Sequence, residues 1–193
     1  MALGSITTRR FEFARRLADS VAELRRKRLK ASLNRWLIPP LRNELTVSPD
    51  LAVLPRRDTY APSFFYEGSH RFSRHIFAEI GELQSRGEEF ECAVYLDTHP
   101  QVMFWLRNIP KREDSFWLQT STDKFYPDFV AWLKDDRILV VEYKGANDWS
   151  NDDSKEKRMI GEVWAERSDS RFLFSMPKGP DWAAVDRVIK GAG

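Results

Sequence analysis

Phe125-Tyr126-Pro127-Asp128-Phe129-Val130-Ala131-Trp132-Leu133, the polar triplet Lys134-Asp135-Asp136, and then Arg137-Ile138-Leu139-Val140-Val141-Glu142-Tyr143-Lys144-Gly145 decide the reading of this chain. Two apolar runs on either side of a short polar turn predict a hairpin with strands over residues 128–133 and 137–143. Side chains alternate along a strand, so Glu142 and Lys144 share one face while Val141 and Tyr143 share the other. Burying an acid and an amine among Leu139, Val140 and Val141 is costly unless the two pair or bind something. The hairpin brings Asp128, at the start of the first strand, beside Glu142. Two adjacent carboxylates repel each other, and a hard divalent cation relieves that repulsion. Oxygen ligands of this kind favour Mg2+ or Mn2+ over zinc. With an ammonium at Lys144, the set suits phosphodiester hydrolysis. The cation lowers the pKa of a bound water and offsets phosphoryl charge, while the lysine orients that water or stabilises the developing anion. Gly145 lets the chain bend directly after the strand.

Outward from the hairpin, residues 87–98 read as a helix, and the apolar runs at 102–107 and 116–120 as strands. Residues 154–167 form a second predicted helix, with Asp153 as its cap and Glu156 reaching back to it. A strand at 171–176 and a closing helix at 181–190 complete the body. Helix, several strands, helix, strand, helix predicts an α/β (α+β) fold, a mixed β-sheet flanked by helices. Residues 41–75 are irregular, broken by Pro49, Pro55 and Pro62, with an extended piece at 59–66.

Residues 9–37 form one long amphipathic pattern. Phe13, Leu17, Val21, Leu24, Leu33 and Leu37 recur at helical spacing, and Pro39-Pro40 ends the run. Net charge divides unevenly, with +7 in residues 1–45 and −5 in the rest. The chain therefore splits into a basic helical segment, 1–45, and an α/β body, 46–193. Arg25, Arg26 and Arg28 suit a nucleic-acid contact, and a solvated helix face accounts for them equally well.

The 42% hydrophobic content supports a real core, and no run of 18 apolar residues is present to span a bilayer. The N-terminus lacks a signal-peptide pattern, and Cys92 is the single cysteine. A reducing, cytoplasmic setting is expected, without a disulfide or a cysteine-based zinc site. His70, His75 and His99 have no metal-ligand spacing. Trp105, Trp117, Trp132 and Trp164 lie in apolar runs and read as core. Trp149 lies in the polar loop Asn147-Asp148-Trp149-Ser150-Asn151 and reads as exposed near the site.

Pro127-Asp128 followed by Glu142-Tyr143-Lys144 resembles the PD-(D/E)xK nuclease superfamily. The wider string is more specific. Glu89, Ala93, Leu96-Asp97, Val102, Trp105-Leu106-Arg107-Asn108, Phe125-Tyr126-Pro127-Asp128-Phe129, Val141-Glu142-Tyr143-Lys144-Gly145 and Lys157…Gly161-Glu162-Val163-Trp164-Ala165 resemble the C-terminal endonuclease region of type III restriction (Res-subunit-like) helicase-nucleases. The resemblance spans residues 85–177 and implies a restriction-endonuclease-like core. It implies Asp128 and Glu142 as metal ligands, with the Tyr143 carbonyl completing the site. Lys144 would assist the nucleophilic water, and a glutamate from the first core helix, Glu89, would join the site. Lys157 matches the lysine preceding the Gly-x-x-Trp segment and is a candidate for substrate phosphate. The implied activity is Mg2+- or Mn2+-dependent cleavage of DNA. The phosphate loop Gly-x-x-x-x-Gly-Lys-Ser/Thr does not occur in the sequence. An ATP-dependent helicase module would thus be supplied in cis or in trans.

Alternatives stay open at this stage. Glu89 also fits a helix N-terminal acid favoured by the dipole, and Lys157 a snorkelling lysine. Asp128, Glu142 and Lys144 also fit a buried ion-pair network. A non-catalytic module that keeps the nuclease fold to bind DNA or a helicase is the rival function, and a nuclease for RNA or branched DNA is the second.

Overall fold

The structure, a computed structural model, describes residues 3–36, 56–145 and 147–191. The Pro39-Pro40 stop, Leu37, Pro49 and Pro55 lie outside the described residues. The elements are α1 (Leu3–Trp36), α2 (Glu88–Thr98), β1 (Val102–Arg107), β2 (Leu118–Gln119), β3 (Lys124–Phe125), β4 (Phe129–Leu133), β5 (Ile138–Val141), α3 (Asp152–Glu166), β6 (Phe172–Ser175) and α4 (Trp182–Lys190).

A four-stranded sheet has the order β1-β4-β5-β6. β1, β4 and β5 run antiparallel in sequence, and β6 joins β5 in parallel. The sheet is mixed. The β4–β5 turn closes through Asp136 in the left-handed region, where an aspartate is tolerated, and the Leu133 amide donates to the Arg137 carbonyl at 2.9 Å. The parallel β5–β6 step needs a crossover, and α3 supplies it.

Alternation along the strands sorts the core into two layers. Phe129, Ala131, Leu133, Leu139, Val141 and Tyr143 face Cys92, Ala93 and Leu96 of α2 and Val185 and Ile189 of α4. Val130, Val140 and Phe174 face Ile160 and Val163 of α3. Helices thus flank both faces of the sheet. The α3 layer sits very close to β6, for a Cβ built on Gly161 would lie 2.5 Å from the Phe174 ring. Only a glycine allows that approach.

Several local expectations are corrected. Asn151, not Asp153, caps α3, its side chain accepting from the Ser154 amide at 2.8 Å. Glu156 does not reach back to the cap; it accepts from the Ser121 amide at 2.7 Å. The single strand expected at 116–120 is shorter and pairs with an additional strand, β3, in a separate two-stranded sheet. α1 starts at Leu3, ahead of residue 9, and its apolar stripe is not buried: Phe13, Leu17, Val21 and Leu24 are exposed. Leu33 does pack, against the α3 layer, and Lys30 lies 3.8 Å from Glu156. Trp117 is exposed rather than core, with the Lys124 ammonium over its ring. Among the described residues no helix is long and apolar enough to cross a membrane.

Candidate active site

β4 and β5 pair Phe129 with Val141. Asp128 and Glu142 are therefore the next residues past the last paired position, side by side at one end of the two central strands. Both were expected inside the strands and fall just past their ends. Glu142 remains tied to β6, since its amide donates to the Ser175 carbonyl at 3.1 Å.

Three donor groups hold the Asp128 residue through four hydrogen bonds. The Tyr143 amide donates to Oδ2 at 2.8 Å, and Arg107 Nη1 donates to Oδ1 at 3.1 Å and to the Asp128 carbonyl at 2.8 Å. The Asn108 amide donates to the same carbonyl at 2.9 Å. The fully buried Asn108 side chain donates to the carbonyls of Pro127 and Phe116 and accepts from the Phe116 amide. This amide fixes the approach of the chain to Asp128.

Glu142 is only 4% exposed. Lys144 Nζ donates to its Oε1 at 2.9 Å, whereas its Oε2 is buried with no hydrogen-bond partner. Burial pushes the Glu142 pKa up, and the Asp128 charge adds to the effect, with Lys144 and Lys157 opposing it. The Lys144 ammonium is partly desolvated, which lowers its pKa, but the charge and hydrogen bond of Glu142 together with the charges of Asp128 and Asp153 outweigh that and raise it. Tyr143 turns its ring into the opposite core layer, as strand alternation requires. Its ring also meets Trp182 of α4.

Glu89, at the start of α2, does not project alone toward the strand carboxylates. Arg107 Nη2 donates to its Oε2 at 2.8 Å, so one guanidinium joins Glu89 to Asp128. Partial burial raises the Glu89 pKa, Arg107 opposes that, and Asp128 adds to it. Among the described residues no group of three or more His, Cys, Asp or Glu side chains is close enough to hold a metal ion. The carboxylates of this site thus form a pair, Asp128 and Glu142, with Glu89 set apart behind an arginine.

Lys157 lies on the α3 side of the site, where it pairs with Asp153 at 2.8 Å and stands over the Phe125 ring. Lys155 pairs with Asp152 in an exposed position and faces elsewhere. Trp149 is half-buried rather than exposed: its indole donates to the Met176 carbonyl, and the Arg158 guanidinium covers the ring at 3.7 Å. Arg25, Arg26 and Arg28 are exposed on α1 and take no part in the hydrogen bonds that join the site carboxylates. Cys92 is a sealed core thiol, its pKa pushed up by burial.

Arg107 and Asn108 are the site residues whose roles the sequence reading missed. A cation and an amide at the end of an apolar strand, Val102-Met103-Phe104-Trp105-Leu106, were the available signal. Comparison with protein-family models, curated proteins and solved structures finds no match to this chain.

Proposed function

We propose that this chain is a divalent-metal-dependent nuclease domain with a restriction-endonuclease-like core that hydrolyses DNA phosphodiester bonds. One observation carries the reading. Glu142 keeps an unpartnered carboxylate oxygen sealed from water beside a second carboxylate, a costly arrangement that a hard cation would offset. The donor set fits Mg2+ or Mn2+, with all-oxygen ligands from Asp128, Glu142 and the Tyr143 carbonyl. When bound, the ion would supply a nucleophilic water at neutral pH and charge compensation for the phosphoryl oxygens.

The residues supply the rest. Asp128 is held by the Tyr143 amide and Arg107, so its carboxylate needs no reorganisation to act. Lys144 reaches Glu142 while remaining partly open to solvent, and its ammonium orients the attacking water or holds charge on the scissile phosphate. Lys157, whose charge acts on Glu142, contacts the phosphate backbone from the α3 side. The exposed Arg25, Arg26 and Arg28 of α1 contribute sequence-independent attraction to DNA. A helicase module, in cis or in trans, would feed substrate to the site, consistent with the absence of a phosphate loop in this sequence.

The test is plasmid nicking with Mg2+, with Asp128→Ala as the control. Nicking by the native chain that the substitution abolishes is the expected result. Activity that survives it removes the proposed chemistry. DNA binding without cleavage identifies a non-catalytic module, and preferential cleavage of RNA or branched DNA at equal salt changes the substrate.

A further inference from the structure

The proposed chemistry uses Arg107 to hold Asp128 and gives no role to its second contact, with Glu89. The Arg107 residue is 7% exposed, it lies at the end of β1, and its guanidinium stacks 5.0 Å from the Phe129 ring. Separate nitrogens serve separate acids, Nη1 for Asp128 and Nη2 for Glu89. His75 supports the backbone beneath it, its Nε2 accepting from the Arg107 amide at 3.2 Å. The side chain is thus built in.

We infer that Arg107 is a positioning residue that holds Glu89 out of the cation site and limits that site to one divalent ion. The inference rests on Asp128 and Glu142 being the ligands of the proposed nuclease.

Charge and geometry agree on this point. Glu89, Asp128 and Glu142 bring three negative charges, and Arg107 and Lys144 return two positive ones. One uncompensated negative charge is left on the cluster as a whole, because Asp128 and Glu89 share the Arg107 charge while Lys144 meets that of Glu142. Glu142 Oε2 is the buried oxygen left without a hydrogen-bond partner. A single divalent ion there turns the local excess from one negative charge to one positive. A second would raise it to three in a half-buried cleft, which is prohibitive at low effective dielectric. The space a second ion needs, between Glu89 and Asp128, is the space the guanidinium fills. Its planar fork bridges two carboxylates at once, a geometry that a lysine ammonium does not reproduce.

Titration calorimetry of the full chain with Mn2+ tests this without reference to turnover. The native protein takes up one ion. Arg107→Gln takes up two, because Glu89 and the freed Asp128 oxygen then face each other without a counter-charge. Combining Arg107→Gln with Glu89→Gln returns the count to one. A native protein that binds two ions, or an Arg107→Gln protein that still binds one, overturns the inference and leaves the nuclease reading standing. A native protein that binds none removes both. Should Arg107→Gln fail to fold, Glu89→Gln alone decides. Its Mn2+ affinity stays within about threefold of native if Glu89 is not a ligand, and a larger loss makes Glu89 a ligand and ends the proposal.

Discussion

Lys144 is the partner the structure gives to Glu142 Oε1, and its own backbone is pinned by the Gly179 amide, which donates to the Lys144 carbonyl at 2.8 Å. That double attachment separates chemistry from scaffolding. On the proposed reading Lys144→Ala lowers nicking by about 100-fold or more while Mn2+ binding remains measurable by calorimetry. Parallel loss of both would make the lysine structural. His75 gives a pH dependence. Burial drives its pKa down from 6.5 to about 4, with the Phe77 carbonyl and Asp97 opposing. The folded protein therefore holds the neutral imidazole, and the unfolded chain binds the proton more readily. Stability is complete above pH 6.5 and falls as the pH drops toward 4, by up to about 3 kcal/mol. Urea melts across that range should show the decline in the native protein and a flatter profile in His75→Gln. Asp128, Glu142 and Lys144 were legible in the sequence because strand alternation fixes relative facing over a few residues. Arg107 was not, because its meaning comes from two acids 18 and 21 positions away, one on a helix and one past a turn.

At the scale of elements, α3 gives two predictions of opposite character. Asn151→Ala removes the acceptor for the Ser154 amide and should cost about 1 kcal/mol of stability, measured by denaturant titration. Gly161→Ala offers a better helix former yet drives a methyl group into the buried Phe174 ring. Overpacking costs about 1–3 kcal/mol and the propensity gain returns about 1, so a net loss of up to about 2 kcal/mol is expected. A gain in stability would show that α3 can slide away from β6 at little cost. The runs that became β1, β4, β5 and β6 were readable because each buries one or both faces. β3 is a two-residue strand, too short for any period to register. The cap was misread for a different reason. Asp153 and Glu156 match the reciprocal pattern, but Lys157 engages the first from one turn along the same helix and Ser121 with Lys30 the second, so an ion pair within the helix and tertiary partners displaced the capping motif.

For the whole molecule, α1 is the outlier. A stripe at helical spacing ordinarily marks burial, and here Phe11, Phe13, Leu17, Val21, Leu24 and Leu29 stay exposed while Leu33 and Lys30 meet the body. Removing residues 1–29 should therefore change the unfolding free energy of the body by less than about 1 kcal/mol in urea. A larger loss would mean that the helix packs more extensively than these contacts imply. The pattern predicted the helix but carried no information about what covers it. At the opposite rim, residues 74–76 run alongside β1: the Trp105 amide donates to the Arg74 carbonyl, the Ile76 amide to the Trp105 carbonyl, and His75 bridges to Trp105 in parallel. The main-chain groups that Trp105 would offer an incoming ribbon at that border are already spent on a loop from the same polypeptide. A neighbouring copy would have to displace that loop to extend the pleated layer through the middle of β1, which guards the folded chain against zipper-like aggregation along this margin.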